Sequence, residues 1–153
     1  MTATDTQPPP FVETVDTRFL ETLLGYNVRR ASLSIIGVFM KRMAVYDLRA
    51  VDFSVLLLTA HNAGITSRQL CATLNVMPPN LVGMVNNLEK RGLVVRRPHP
   101  RDGRADGLHL TDSGRELMKS AEETAVNLEL EAAANLTARE RKTLIQLLKK
   151  IYL

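Results

Sequence analysis

Apolar residues recur at helical spacing from Asp16 to Met43. Leu20, Leu24, Val28, Ala31, Ile35 and Phe39 form one stripe, and Phe19, Leu23, Ile36 and Met43 a second. Two stripes predict a helix covered on more than one side, which a single small domain rarely supplies. Asp52–Asn62 follows as a short, strongly apolar helix (Phe53, Leu56, Leu57, Leu58) terminated by Gly64. Thr66 and Gln69 then have capping-box spacing, in which the threonine hydroxyl and the glutamine side chain each satisfy an orphan amide of the first turn. A helix therefore opens there, with Leu70 and Leu74 on one face. Asn75 suits a left-handed turn position. Pro78 and Pro79 fit only the first turn of a further helix, where a missing amide donor costs nothing. That helix runs to about Arg91, turns Leu81, Val85 and Leu88 inward and stops at Gly92.

Leu93–Arg97 and Gly107–Leu110 read as short extended runs joined by a long basic turn. Thr111 caps the next helix, whose apolar positions are Leu117, Ala121, Ala125 and Leu128. A second capping box, Thr137 to Glu140, opens the last helix. Its stripe (Leu144, Ile145, Leu147, Leu148, Ile151) is wider than one small core requires. The pattern predicts a mainly α fold containing a winged helix-turn-helix with a small β-hairpin wing.

A chain of 153 residues, 45% apolar and 24% charged, fits one globular domain, or a domain with an oligomerisation element. The longest candidate span, Ala31–Met40, is interrupted by Ser32, Ser34 and Gly37 and falls short of the ~18 apolar residues a bilayer needs. Thr2–Pro10 is polar and proline-rich and lacks a signal-peptide pattern, so a disordered leader and a cytoplasmic protein are expected.

The net charge of +4 is unevenly placed. Residues 1–65 carry six basic and six acidic side chains and residues 112–153 seven of each. Residues 66–111 carry seven basic (Arg68, Lys90, Arg91, Arg96, Arg97, Arg101, Arg104) against three acidic (Glu89, Asp102, Asp106). The whole surplus lies in the middle third, as a phosphate-binding footprint would, although charge alone does not separate that from a solvated face. Cys71, the single cysteine, excludes an intrachain disulfide and reads as a buried small hydrophobe. His61, His99 and His109 lack metal-ligand spacing. P-loop, G-x-G-x-x-G and G-x-S-x-G motifs are missing, so neither a cofactor, a metal nor an enzyme is expected.

Two helices joined by a tight turn, the second exposed at its N-terminus, form a helix-turn-helix whose second helix fits the major groove. Removing the inward positions leaves Pro79, Asn80, Val82, Gly83, Asn86 and Asn87 outward. An asparagine amide both donates and accepts, as an adenine edge requires, and a valine can touch a thymine methyl. Gly83 allows close backbone approach. Arg101 and Arg104 at the hairpin tip suit a narrow minor groove. Asp102 is expected to orient Arg104, since an aimed guanidinium loses less entropy on binding. Arg96, Arg97 and His99 would meet phosphates, with Arg68 and Lys90 extending the basic face.

The segment TSRQLCATLNVMPPNLVGMVNNLEKRGLVVRRPHPRDGRADGLHLTDSG, residues 66–114, resembles the MarR family of winged-helix transcriptional regulators. The shared features are the D-x-R wing, the L-E-K-R-G-L-V helix exit and the L-T-D-S-G return. The resemblance implies a homodimer held by N- and C-terminal dimerisation helices. After the disordered leader expected from composition (residues 1–12), it implies an N-terminal dimerisation helix (13–45), a DNA-binding lobe (46–111) and C-terminal dimerisation helices (112–153). It further implies a repressor released from a pseudo-palindromic operator by a small molecule, often an aromatic acid, bound between dimer helices and DNA-binding lobe.

One departure stands out: basic residues common in relatives at the positions of Gly83 and Asn87 are missing, leaving the recognition helix nearly uncharged until Lys90. Candidate effector contacts are Arg29, Arg30 and His61 for a carboxylate and Tyr26 and Phe53 for an aromatic slot. Phe53 reads first as plain core, and the arginines also fit solvated groups or dimer ion pairs. The alternative function is a constitutive architectural or replication-associated winged helix without an effector.

Overall fold

The computed structural model describes residues 14–99 and 102–153, with the backbone alone at residues 102–104. The expected leader, residues 1–12, lies outside the described residues. The chain divides into two compact units, Met1–Leu33 and Ser34–Leu153. The first unit contains α1 (Arg18–Glu21) and the start of α2 (Leu24–Met43), which runs on into the second. The continuous helical period from Asp16 predicted one element, whereas the chain breaks at Thr22 and Leu23. The carbonyls released by the break are satisfied on the spot. The Thr22 hydroxyl donates to the Phe19 carbonyl at 2.7 Å, and the Asn27 amide donates to the Glu21 and Leu23 carbonyls at 2.8 Å each.

In the second unit a 3-10 turn (Ala44–Tyr46) leads to α3 (Ala50–His61), β1 (Ile65–Thr66), α4 (Ser67–Leu74) and α5 (Pro78–Lys90). The hairpin β2 (Val94–His99) and β3 (Asp102–Leu110) comes next, followed by α6 (Asp112–Ala132) and α7 (Ala138–Tyr152). The core is built from the inward stripes of these helices. Met43, Val55, Leu56, Leu70, Leu81, Val85, Leu88, Leu108, Met118 and Leu128 are each at most 2% exposed. Cys71 packs against this core but is half-buried, less enclosed than expected, because it stands at the edge of the α4 stripe that Leu70 buries.

Local chemistry starts and stops these helices where the pattern predicts. The Thr66 hydroxyl accepts from the Gln69 amide at 3.3 Å and the Gln69 side chain accepts from the Thr66 amide at 3.0 Å. Asn75 ends α4 at φ 51°, in the left-handed region, and α5 opens on Pro78. Thr137 and Glu140 form the equivalent box on α7. The Thr137 amide and hydroxyl hold the Glu140 carboxyl below the usual carboxylate value.

The sheet is antiparallel with order β1-β3-β2. Two features depart from expectation. The turn predicted to be long is mostly strand, since pairing continues from Val94↔Leu110 to His99↔Asp102 across an irregularity at Pro98/His99. A basic, apolar-poor hairpin carries no period-two signal, so its extension was invisible. β1 was also missed, being two residues long. It pairs Ile65 with Leu108 and Thr66 with Gly107. Residue 107 must be glycine for this approach, because a Cβ there would stand 2.6 Å from the Gly64 carbonyl oxygen.

Thr111 caps α6 by accepting from the Gly114 amide at 3.0 Å. A Cβ at position 114 would fall 2.0 Å from the Leu93 carbonyl oxygen, closer than any contact can be. Gly114→Ala is therefore expected to destabilise the fold by about 1–3 kcal/mol, the usual cost of overpacking. Urea unfolding will show it as a lower midpoint at unchanged slope; an unchanged midpoint would mean that α6 shifts freely on β2.

Candidate nucleic-acid interface

The period of α5 separates two faces. Leu81, Val85 and Leu88 are at most 1% exposed, and Pro79, Asn80, Val82, Gly83, Asn86, Asn87 and Lys90 are all exposed. The seven residues singled out on this helix thus share one outward face. An added Cβ at Gly83 would meet no heavy atom within 4 Å, so the backbone there is open to a groove floor. Arg68, in the first turn of α4, lies near the same surface. With Val82, Arg96, Thr66, Ser67, Ala105 and Asp106 it lines a hollow of about 390 Å³ between α5 and the wing.

On β2 the outward cations are not equivalent. Arg97 is exposed and its side chain, among the described residues, makes no hydrogen bond or ion pair; His99 is half-buried. Arg96 is tied down. Its Nη1 lies 3.2 Å from Glu89 Oε2, and its Nη2 donates to Asn86 Oδ1 at 2.8 Å. Two residues assigned separate DNA contacts from sequence, Asn86 and Arg96, are thus bonded directly to each other, and Arg96 is also held by Glu89, which was counted only as a negative charge. Arg101 and the side chains of Asp102 and Arg104 lie outside the described residues, and with them the expected aiming of Arg104 by Asp102.

The basic surplus also contains a cation with a structural task. Arg91, just beyond α5, donates through Nη1 to the Asp47 carbonyl at 2.7 Å and through Nη2 to the Tyr46 carbonyl at 2.9 Å. It grips the turn before α3, where Asp47 takes φ 50°. Charge counting placed Arg91 in the basic surplus without seeing this task, because its partners are backbone groups more than forty positions away, which no motif announces.

The effector candidates fall in different units. Tyr26, half-buried, and the exposed Arg29 and Arg30 stand on α2 in the first. Phe53 and His61 stand on α3 in the second. Phe53 meets Phe39 edge-on at 5.7 Å between ring centroids, which makes it a core-edge residue. It also lines a hollow of about 340 Å³ with Leu57, Glu122, Ala125, Val126 and Glu129. His61 Nε2 lies 3.8 Å from Glu122 Oε1, so a carboxylate of the protein itself already stands beside it.

A model described as MarR family matches residues 46–105, from the 3-10 turn into the wing. A protein of Thauera aromatica named as a transcriptional regulatory protein for the hcr operon is 30% identical over 130 residues, 84% of this chain and 78% of that protein. The chain belongs to the MarR family. It is accordingly a DNA-binding transcriptional regulator and not an enzyme. Among solved structures, the repressor CouR bound to a 23-mer DNA duplex matches with a TM-score of 0.84 at 34% identity, over 92% of this chain and 100% of that one. CouR of Rhodococcus jostii RHA1 bound to p-coumaroyl-CoA matches with a TM-score of 0.79 at 28% identity, over 86% of this chain and 93% of that one.

Within this MarR-family fold, Arg91 and Arg97 separate by experiment. Arg91→Met removes two charge-assisted hydrogen bonds and is expected to lower stability by about 1–2 kcal/mol. Arg97→Ala, on an exposed strand position, should stay within about 0.5 kcal/mol of the parent. Thermal unfolding without DNA distinguishes them, and equal stabilities would refute the anchoring role of Arg91.

Proposed function

We propose that this regulator is a homodimeric repressor that grips a pseudo-palindromic operator and is released by a small aromatic effector. The outward face of α5 carries the reading: an uncovered row of amide and small apolar groups, in a fold that matches a DNA-bound repressor along nearly its whole length. Asn80, Val82, Asn86 and Asn87 contact base edges, with Pro79 and Gly83 permitting close approach. Arg68, Lys90, Arg97 and His99 serve phosphates. Arg101 and Arg104 at the hairpin tip enter the minor groove, with Asp102 orienting the latter.

Dimerisation is supported by the terminal helices. Every residue of α7 is exposed or half-buried, and Leu144, Ile145, Leu147 and Ile151 are 43–61% exposed. Phe19, Leu20, Leu23 and Leu24 of the first unit are also uncovered. Apolar surface of this extent on a chain that carries charge elsewhere marks an interface. A two-fold dimer places half-site centres about one helical turn, roughly 10 bp, apart. Among the described residues, no helix is long and apolar enough to cross a membrane, consistent with a cytoplasmic site of action.

The effector reading draws on CouR, which binds p-coumaroyl-CoA. An aromatic acyl group suits the apolar wall of Phe53, Leu57, Ala125 and Val126. Its anionic portion would avoid Glu122 and Glu129, and with Glu122 also His61, which already stands beside that carboxylate. Arg29, Arg30 and Tyr26 remain candidate contacts of the first unit. A constitutive architectural role is the competing reading, distinguished by whether any effector alters operator affinity.

Fluorescence anisotropy on the protein's own upstream DNA tests the proposal. Arg97→Ala is expected to weaken binding alike on operator and scrambled duplexes and to reduce the salt slope by about 1, as loss of one phosphate contact requires. An unchanged slope would remove Arg97 from the interface. Truncation before Thr137 is expected to abolish the dimer by sedimentation, and a stable truncated dimer would sink the proposed interface. Aromatic acids and their thioesters that raise the melting temperature by mass action should also displace DNA. Binding without displacement would favour the constitutive reading.

A further inference from the structure

On the DNA-binding reading above, we propose that Glu89 and Arg96 convert Asn86 into a donor-only reader that selects guanine over adenine. The geometry is a chain of three side chains across the junction of α5 and β2. Glu89 Oε2 holds Arg96 Nη1 at 3.2 Å, and Arg96 Nη2 holds Asn86 Oδ1 at 2.8 Å. The Arg96 and Glu89 side chains are 36% and 29% exposed, so the pair is partly shielded where it meets the helix. Asn86 and Glu89 stand three positions apart on one helix face, which lets a single guanidinium engage both.

An asparagine side chain is ambiguous by itself, because oxygen and nitrogen ends interchange by rotation. A guanidinium only donates, so Arg96 fixes the oxygen end toward itself and leaves the NH₂ end for solvent or DNA. Bidentate recognition of adenine needs that amide oxygen to accept from N6 while the nitrogen donates to N7. Here one lone pair of the oxygen is already committed to a cation. That weakens it as an acceptor toward a base, and the polarised N–H groups become better donors. Guanine, with acceptors at both N7 and O6, matches a donor-only amide; adenine places its own N6 donor against it. Glu89 is a positioning residue in this scheme. It holds Arg96 at the base of the wing instead of letting it swing to a phosphate, and it touches no base.

The test selects binding sites from randomised duplexes with the full-length protein and finds the base position whose preference disappears in Asn86→Ala. At that position the parent should favour guanine over adenine roughly tenfold, the scale of one good base contact. Arg96→Ala should bring the ratio to parity or below by freeing the amide oxygen. Glu89→Gln should lower the ratio severalfold and raise the salt slope by about 1, as the released guanidinium finds a phosphate. In the protein without DNA, the Asn86 side-chain amide resonances should move in both variants while the remaining backbone spectrum is kept. Should Arg96→Ala fail to fold, Glu89→Gln and these resonances carry the test.

A parent that prefers adenine, a ratio unmoved by both variants, or an Asn86→Ala that alters no position would overturn this inference and leave the DNA-binding reading intact. A parent that selects no sequence would overturn both.

Discussion

The fold turns on the carbonyl group of Leu93. It leaves the recognition helix just after Gly92, accepts the Thr111 amide at 3.1 Å and lies so close to Gly114 that no side chain fits between them. The Thr111 hydroxyl reaches the neighbouring Gly92 carbonyl at 2.5 Å and accepts the Gly114 amide. Within a few ångströms the end of α5, the start of β2, the end of β3 and the start of α6 are stitched together. A recognition helix is useful only if its outward face is held at a fixed angle to the wing, and this junction holds it. Arg91 secures the other side by clamping the same helix end to the Tyr46 and Asp47 carbonyls.

Features set by short-range chemistry were legible in the chain. The capping boxes at Thr66 and Thr137, the left-handed Asn75, the proline-opened α5 and its inward Leu81, Val85 and Leu88 each follow from residues within one or two turns. Features set by distant partners were not. The break at Thr22 depends on an asparagine side chain reaching two carbonyls, and nothing in the apolar period announces it. β1 exists because Gly64 and Gly107 let two backbones meet, although alone Gly64 reads only as a helix stop and Gly107 as the start of an extended run. The outward residues of α5 could be named from period alone, yet their bonding could not, because Arg96 comes from another element.

The charge distribution shows the same divide. The surplus in residues 66–111 falls on α4, α5 and the hairpin, but summed charges say nothing of which cations are free. Arg91 is spent on backbone carbonyls and Arg96 is shared between a carboxylate and an amide, leaving Arg68, Lys90 and Arg97 as the described cations of that third without a partner. Among the described residues, the unpaired positive charge of this third is thus smaller than composition suggests, with Arg68 and Arg97 on elements flanking α5 and Lys90 at its end.

That arrangement separates affinity from discrimination. Phosphate attraction is strong, salt-dependent and blind to sequence, so every cation on a recognition helix raises binding to all DNA along with binding to the operator. A helix nearly free of unpaired charge avoids this dilution and leaves affinity to its flanks. The cost is that its neutral groups must discriminate through hydrogen-bond direction alone, which demands fixed orientation. A mobile amide is free to donate and accept at an adenine edge or to donate to guanine; a clamped one keeps only its donors. A guanidinium held near the helix by Glu89 supplies the clamp while having its own charge offset. The same residue that would have added indiscriminate affinity is thereby made to sharpen the readout.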